Sequence, residues 1–274
     1  MAHRMQLKGR TAVVTGAAGG IGRAIAVSLA RRGCHLALAD VNDAGILETA
    51  ALAGTPGLRV SQHRLDVADR AAVEAFPEAV QAMHPGIDLL INNAGVALGG
   101  TFEQLSEEDF EWLFEINFWG VVRLSRAFLP LLKASDDARI VNLSSIFGII
   151  APPGHSAYVA SKFAVRGFSN ALRFELAGTP VGVTVVHPGG VATSIANNAR
   201  VAAAISAEEA ARGREDFGRH LRLLPEKAGE IIVRGIERRQ ARVLVGSDAK
   251  LIAMIERLAP VSYGRMLRWL ERKA

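Results

Sequence analysis

Short apolar runs alternate along the chain with longer stretches in which apolar positions recur at helical spacing. Several runs are continuously apolar, as expected for strands buried on both faces of a parallel sheet. They predict seven strands, at 11–15, 35–40, 59–66, 88–94, 139–145, 182–188 and 241–246. Helical patterns occur between them, among others at 21–32, 69–83, 107–133, 156–177 and 226–239. This alternation predicts an α/β fold, a Rossmann-like doubly wound parallel sheet in a three-layer α/β/α arrangement.

The chain shows no repeat or break in composition before about residue 247, so we predict one catalytic domain over 1–246. The segment 194–224 is longer than a simple connection and is predicted to form a helical lid over the substrate. Residues 247–274 are predicted to form an amphipathic helical extension. Its first helical face would contain Leu251, Ile252, Ile255, Leu258 and Ala259. After Pro260, apolar and basic residues intermingle: Met266, Leu267, Trp269 and Leu270 with Arg265, Arg268, Arg272 and Lys273.

Two interpretations of this extension remain open. It could dock on its own domain or on a neighbouring subunit. It could also contact a membrane surface as a basic amphipathic anchor.

Composition narrows the possible partners and compartment. The net charge of +5 is modest for 274 residues, and the arginines are spread without interleaved aromatic residues, which argues against nucleic acid as a partner. The single cysteine, Cys34, lies in an apolar run and predicts a buried thiol, with neither a disulfide framework nor a metal site. No signal peptide or 18-residue apolar segment is evident, so we expect a cytoplasmic protein.

A glycine-rich turn follows the first predicted strand and opens the first predicted helix. Gly16, Gly20 and Gly22 would allow a tight turn, close approach of a pyrophosphate and close packing of helix on sheet. Ala18, Gly19 and Ile21 complete the turn. The pattern is only moderately specific by itself, but its place between a strand and a helix favours dinucleotide binding.

The second predicted strand ends at Asp40, which bears on the choice of cofactor. A carboxylate there can accept both hydroxyls of an adenosine ribose and would repel a 2′-phosphate. Val41 follows, and no Lys or Arg occurs at 41–43, so the sequence favours NAD over NADP. Further along, Asp66 and Val67 could meet the adenine, and the small residues Asn93, Ala94 and Gly95 would let backbone approach the cofactor at the carboxyl edge of the sheet.

Tyr158 and Lys162 are four residues apart in a predicted helix, so their side chains share one face. An ammonium beside a phenol favours the phenolate, so the pKa of Tyr158 is expected to fall from its ordinary value of about 10. Such a phenol could exchange a proton with an alcohol or carbonyl oxygen. His155, three residues earlier, could also reach the pocket, whereas His187 is given no role.

These motifs, in this order and spacing, resemble the short-chain dehydrogenases/reductases, in the single-domain branch, over about residues 7–246. The resemblance rests on TGAAGGIG, Asp66-Val67, NNAG, Asn117, Ser145, Tyr158, Lys162 and Pro188-Gly189 with Thr193. It implies that Tyr158 is the general acid/base, that Lys162 lowers its pKa and holds the nicotinamide ribose, and that Ser145 binds the substrate oxygen. It further implies that Asn117 supports a water linking Lys162 to solvent, and that Pro188, Gly189, Val191 and Thr193 hold the carboxamide and phosphates.

The resemblance implies an NAD(P)-dependent oxidoreductase that interconverts a secondary alcohol and a ketone or aldehyde, usually as a dimer or tetramer. Phe147, beside Ser145 and among neighbouring isoleucines, predicts an apolar pocket and therefore a lipophilic substrate. Two alternatives remain: an NAD(H)-binding sensor or scaffold without turnover, and an epimerase or lyase that uses NAD transiently.

Overall fold

Seven parallel strands form the centre of the protein in a computed structural model that describes residues 4–265. The sheet has the order β3-β2-β1-β4-β6-β7-β9, and a separate two-stranded parallel sheet pairs β5 with β8. The strands are β1 (Thr11–Thr15), β2 (His35–Asp40), β3 (Val60–Arg64), β4 (Leu89–Asn92), β5 (Leu98–Gly99), β6 (Ala138–Leu143), β7 (Val181–Pro188), β8 (Arg200–Val201) and β9 (Arg242–Val245). The predicted Rossmann-like fold class is confirmed.

Helices cover both faces of the sheet. They are α1 (Gly20–Ala30), α2 (Asp43–Ala53), α3 (Arg70–Gln81), α4 (Glu107–Phe114), α5 (Gly120–Ala134), α6 (Ser156–Glu175), α7 (Ala207–Gly218), α8 (Pro225–Glu237) and α9 (Ser247–Leu258). Apolar residues of α1, α2 and α8 form one core against the sheet, and those of α3 and α5, with the end of α6, form the other. Because the sheet is buried between these layers, its strands are apolar on both faces.

The chain reverses its winding direction between β1 and β4, which are neighbours in the sheet. The carboxyl ends of these strands therefore diverge and leave a crevice, the usual ligand position in such folds. The register pairs Thr15 with Ala39, so the loop after β1 and Asp40 at the end of β2 lie at the same edge. The strand order thus positions the predicted cofactor residues together.

The structure corrects several predicted boundaries. The third and fourth strands are shorter than predicted, so Asp66, Val67 and Asn93–Gly95 lie in loops beyond the strand ends. Helix α2 was not predicted, because its sequence is apolar nearly all round; its signal is Asn42, whose side chain accepts a hydrogen bond from the backbone N–H of Gly45. The predicted helix 107–133 is interrupted by a π-helical segment, Glu115–Trp119. Within the lid 194–224, only α7 is α-helical.

The C-terminal helix α9 docks on its own domain. Ala249, Ala253 and Ile255 are buried, and part of this face packs on Ile146 and Ile149. The predicted helical face was wrong in part, because Leu251 and Leu258 are 48% and 78% exposed. The second predicted stretch of the tail, around Met266, Leu267, Trp269 and Leu270, lies outside the described residues, and the membrane-anchor hypothesis stays a prediction.

Two histidines are buried away from solvent and predict a loss of stability in acid. His84 Nε2 lies 2.8 Å from the Ser61 hydroxyl, and His187 Nδ1 lies 2.9 Å from the carbonyl oxygen of Ser145. Burial lowers the pKa of each imidazole from 6.5 to about 4. The unfolded chain therefore takes up protons first as the pH falls. The contribution of each histidine to stability is fully present above pH 6.5 and is lost between pH 6.5 and 4, by at most about 3 kcal/mol for each histidine.

Urea denaturation at a series of pH values measures this decline. His84→Asn keeps a hydrogen-bonding group near Ser61 but cannot titrate, so its unfolding free energy should vary less with pH. A variant whose pH dependence equals that of the wild type would contradict the assignment to His84.

Candidate active site

The loop between β1 and α1 has the geometry of a phosphate cradle. Gly16 and Gly20 have φ of 63° and 53°, in the left-handed region that favours glycine. A Cβ on Gly22 would overlap the carbonyl oxygen of Gly16, so only glycine permits this approach of helix and loop. Between them, Ala18, Gly19 and Ile21 are partly exposed, and the loop surface is therefore accessible to a ligand.

Asn93 holds this loop in place from β4. Its Nδ2 donates to the carbonyl oxygens of Thr15 and Gly16, both at 3.0 Å. The hydroxyl of Thr15 accepts from the backbone N–H groups of Asn93 and Ala94, both at 3.1 Å. The asparagine of the NNAG motif thus links the two strands on either side of the crevice, in addition to its predicted approach to the cofactor.

Asp40 stands next to the glycine loop. Its Oδ2 accepts from the backbone N–H of Ala18 at 3.0 Å, and its Oδ1 accepts from that of Asn42 at 3.1 Å. The adjacent Val41 is 54% exposed. A carboxylate therefore stands at the carboxyl end of β2, where the sequence predicts the adenosine ribose.

The residues predicted to meet the adenine lie just beyond β3. Asp66 is exposed and its Oδ1 accepts from the backbone N–H of Ala68 at 2.9 Å. Val67 is 6% exposed and packs against Gly120, where a Cβ would come within 3.0 Å of it. The side chain of Asp66 is thus accessible to a ligand, whereas that of Val67 is largely buried in the core.

Ser145, Tyr158 and Lys162 converge beyond the end of β6. The hydroxyl of Ser144 donates to the carbonyl oxygen of Lys162 at 2.8 Å and so ties α6 to the end of this strand. Lys162 Nζ lies 5.6 Å from the centre of the Tyr158 ring and donates to the carbonyl oxygen of Leu143 at 3.2 Å. A Cβ on Gly95 would lie 3.4 Å from Lys162 Nζ, so the NNAG loop forms the opposite wall.

The protonation of this group differs from the sequence prediction. Burial raises the pKa of Tyr158 to about 12, although the hydroxyl of Ser145 acts in the opposite direction. Burial likewise lowers the pKa of Lys162 to about 8. The predicted fall in the pKa of Tyr158 is therefore wrong for the protein without its ligands, because removal from water favours the neutral phenol more than the hydrogen bond with Ser145 favours the phenolate. At neutral pH Tyr158 is a proton donor beside a largely charged Lys162.

Asn117 lies fully buried within the π-helical segment, a type of helix defect common at functional sites. Its Oδ1 accepts from the backbone N–H of Val96 at 2.8 Å, and its Nδ2 donates to the carbonyl oxygen of Val96 at 3.0 Å and to the hydroxyl of Ser161 at 3.4 Å. The side chain therefore joins the loop after Gly95 to α6. Its predicted support of a water near Lys162 stays a prediction.

The segment after β7 borders the glycine loop. Thr193 comes so close to Gly20 that a Cβ there would lie 3.1 Å from the threonine methyl group. Gly20 and Thr193 line a cavity of about 510 Å³ together with lid residues. Pro188 ends β7, Gly189 is partly exposed and Val191 is 4% exposed. Thr193 thus lies directly against the glycine loop.

The lid is attached at both of its ends. Its start pairs with the loop after β4 through β5 and β8, and Arg200 adds an ion pair with Asp109 at 3.0 Å. Its end pairs with the segment after β7, where the backbone N–H of Ala192 donates to Leu223. The predicted lid is therefore joined to the loop that follows Gly95.

An aromatic cluster lies where the lid meets the predicted catalytic residues. The ring of Phe147 lies 6.1 Å from that of Tyr158, 5.1 Å from that of His155 and 6.4 Å from that of Phe217 on α7. Tyr158 also packs beside Val96 and other apolar residues of the adjoining core. Phe217 was not predicted as a site residue, because nothing in the lid sequence indicates which residue faces inward.

His187 has a structural role that was not predicted from the sequence. It is fully buried in β7, and its Nδ1 lies 2.9 Å from the carbonyl oxygen of Ser145. The imidazole therefore holds the backbone of the residue predicted to bind the substrate oxygen. The only sequence signal for His187 was its position before Pro188 at the end of a predicted strand. That position does not indicate a contact with the residues that follow β6.

The sheet order and the glycine loop after β1 define the Rossmann-like fold class of NAD-binding proteins. The chain belongs to the short-chain dehydrogenases: residues 10–204 match the short chain dehydrogenase family model. It is thus an oxidoreductase of that family.

Individual relatives cover nearly the whole chain. It is 46% identical over 263 residues to the oxidoreductase SadH of Mycobacterium tuberculosis, covering 95% of this chain and 94% of SadH. Among solved structures, a short-chain dehydrogenase/reductase from Burkholderia phymatum in complex with NAD is 30% identical, with a TM-score of 0.86, over 93% of this chain and 95% of that one. An alcohol dehydrogenase from Thermococcus sibiricus complexed with 5-hydroxy-NADP is also 30% identical, with a TM-score of 0.71, over 86% and 94% of the two chains. Relatives with either nicotinamide dinucleotide thus share this fold.

Within residues 4–265, no group of three or more His, Cys, Asp or Glu side chains is arranged to hold a metal ion. No helix in this part of the chain has the length and apolar character needed to cross a membrane.

Proposed function

We propose that the protein interconverts a secondary alcohol and a ketone or aldehyde by hydride transfer, with NAD preferred over NADP and with a lipophilic substrate. The observation that carries this proposal is the convergence of Ser145, Tyr158 and Lys162 beside Gly95 at the carboxyl edge of the sheet. A proton donor, a cation and a second hydroxyl at one point suit a reaction in which charge develops on a carbonyl oxygen.

The chain has the features that a nicotinamide dinucleotide requires. Two glycines of the loop after β1 have left-handed backbone conformations, and a Cβ on Gly19 would meet nothing within 4 Å. The loop therefore leaves room for a pyrophosphate at the start of α1. The carboxylate of Asp40 suits a ribose diol. When bound, the nicotinamide would supply or accept the hydride.

Tyr158 moves the proton in this proposal. In the reducing direction its hydroxyl, protonated at neutral pH, donates to the carbonyl oxygen as negative charge develops there. The hydroxyl of Ser145 donates a second hydrogen bond to the same oxygen and orients it. The ammonium of Lys162 stabilises the phenolate that remains and holds the ribose hydroxyls. Asn117 keeps the wall around Gly95 in position and supports the water through which Tyr158 is reprotonated.

The surroundings of Tyr158 support a lipophilic substrate. The half-buried ring of Phe147 contacts that of Tyr158 and is itself in contact with Phe217 of the lid. Tyr158 also packs against the apolar cluster that includes Val96, Leu98 and Leu105. Burial of apolar surface against such walls contributes about 25 cal/mol for each Å². A small polyol would lose its hydration there without burying apolar surface that could offset the loss.

The cofactor preference is tested by Asp40→Ala. Loss of the carboxylate removes hydrogen bonds to the ribose and the repulsion of a 2′-phosphate, so we expect NADH to bind about tenfold more weakly and NADPH more tightly. Fluorescence titration of both cofactors at the same salt concentration measures the change. Asp43→Ala is the matched control, since Asp43 is also an exposed carboxylate at this edge but pairs with Arg64 at 2.7 Å.

An unchanged ratio of NADH to NADPH affinity in Asp40→Ala would contradict the role of Asp40. An equal change in Asp43→Ala would assign the effect to net charge instead of a specific contact.

A further inference from the structure

His155 differs from the other histidines of the described chain. Of the six histidines within residues 4–265, five have a ring nitrogen in a hydrogen bond with the protein: His35, His63, His84, His187 and His220. His155 has no ring hydrogen bond to any described residue. A polar ring without a protein partner is free to bind a ligand.

Its position places it in the aromatic cluster beside Tyr158. The ring is half-buried, 5.1 Å from the centre of Phe147 and 6.1 Å from that of Phe217. Phe147 in turn contacts the ring of Tyr158 at 6.1 Å. His155 is the N-cap residue of α6 and precedes Tyr158 by three residues.

The chemistry of the ring defines what it can recognise. Burial lowers the pKa of His155 below its ordinary value, so the imidazole is neutral at pH 7. A neutral imidazole has one N–H donor and one acceptor nitrogen. It therefore suits an uncharged hydroxyl or carbonyl group, and it gives little attraction to a carboxylate. The surrounding rings favour apolar atoms on either side of that polar group.

We propose that His155 is a specificity-determining residue that binds a second, uncharged oxygen of the substrate. The substrate class is accordingly a lipophilic ketone or alcohol with a further hydroxyl or carbonyl group, packed against the aromatic cluster that Phe147 forms with the lid residue Phe217. This inference rests on the proposed function of the same site. A site built to bond a polar group discriminates strongly against an analogue that lacks it, because the imidazole, once covered by the bound substrate, is then left unpaired.

The test compares two cyclohexanones that carry, opposite the carbonyl, either a hydroxymethyl or an ethyl group. The two compounds have similar shape and one reducible carbonyl each, and they differ in one hydroxyl. Wild-type enzyme should reduce the hydroxymethyl compound with a kcat/KM about tenfold higher. His155→Phe keeps an aromatic ring against Phe147 and should remove this preference while the ethyl compound changes less than about twofold. His155→Gln, which keeps a donor and an acceptor, should retain part of the preference.

His35→Phe is the matched control, because it makes the same replacement at the amino end of β2, away from Tyr158. Equal rates for both compounds in the wild type, or an equal loss for both in His155→Phe, would overturn the proposal and leave His155 as a packing residue.

A second measurement separates this inference from the proposed function. Binding of both compounds to the full chain with NADH is measured by calorimetry. Absence of turnover with either cofactor would overturn the proposed reaction, while a hydroxyl-dependent affinity that disappears in His155→Phe would still support His155. Equal affinities for both compounds would overturn the specificity role regardless of turnover.

Discussion

Tyr158→Phe should reduce kcat for a ketone substrate by about a thousandfold, within the range usual for loss of a general acid. The replacement removes a single hydroxyl and keeps the ring that packs on Phe147. Cofactor affinity and thermal stability should change little, since removal of the buried hydroxyl leaves no charged group without a partner. Stopped-flow measurement of NADH oxidation in single turnovers isolates the chemical step from product release.

The chain provides its own control for this experiment, because it contains two tyrosines, Tyr158 and Tyr263. The hydroxyl of Tyr263 accepts from the backbone N–H of Ala151 at 2.8 Å, and Tyr263→Phe loses about 1 kcal/mol of stability with near-normal kcat. Retention of activity in Tyr158→Phe would contradict the proposed mechanism. Comparable losses in both variants would indicate a general effect on the pocket.

Gly22→Ala should cause the largest loss of stability among single substitutions at the cofactor loop. The new methyl group would overlap the carbonyl oxygen of Gly16 and would come within 2.5 Å of Asn93 Nδ2. Both of these atoms belong to the hydrogen bonds by which Asn93 joins β1 to β4, so displacing either atom costs free energy. We expect an unfolding free energy lower by about 3 kcal/mol, a melting temperature lower by roughly 10 °C, and loss of NADH binding.

Gly19→Ala is the matched control in the same loop. Gly19 has φ of −172°, an extended conformation open to any residue, and a Cβ there meets nothing within 4 Å. Its melting temperature should equal that of the wild type by differential scanning fluorimetry. Equal destabilisation of both variants would contradict the steric argument for Gly22. Wild-type stability in both variants would show that α1 and the glycine loop tolerate a wider separation than the structure has.

The main sheet could be predicted because its information is local. A run such as Thr11–Thr15 is apolar on both faces, and the glycines that follow it are required by backbone geometry at that place. Helix α2 escaped prediction because its apolar residues lack a clear face, although Asn42 marks its start. Boundaries near Asp66 and Asn93 were less certain because strand ends depend on pairing with neighbours.

The parts that could not be predicted depend on contacts between distant segments. The sheet formed by β5 and β8 joins residues about one hundred positions apart, and each strand has only two residues. The pKa of Tyr158 depends on how much water the fold excludes from its hydroxyl, and the sequence spacing between Tyr158 and Lys162 gives no information about that. The contact of His187 with Ser145 likewise requires the register of β7 on β6.

The pairing of β5 with β8 bears on how this enzyme can be re-engineered. Val201 and Leu98 belong to different segments of the chain, but they are neighbouring parts of one ribbon. A chimera that takes only 194–224 from a relative would have a foreign β8 strand paired with its own β5 strand. The ion pair of Arg200 with Asp109 would also lose a partner. Grafts that transfer both segments together should keep the ribbon intact, so the natural unit of exchange is discontinuous in sequence.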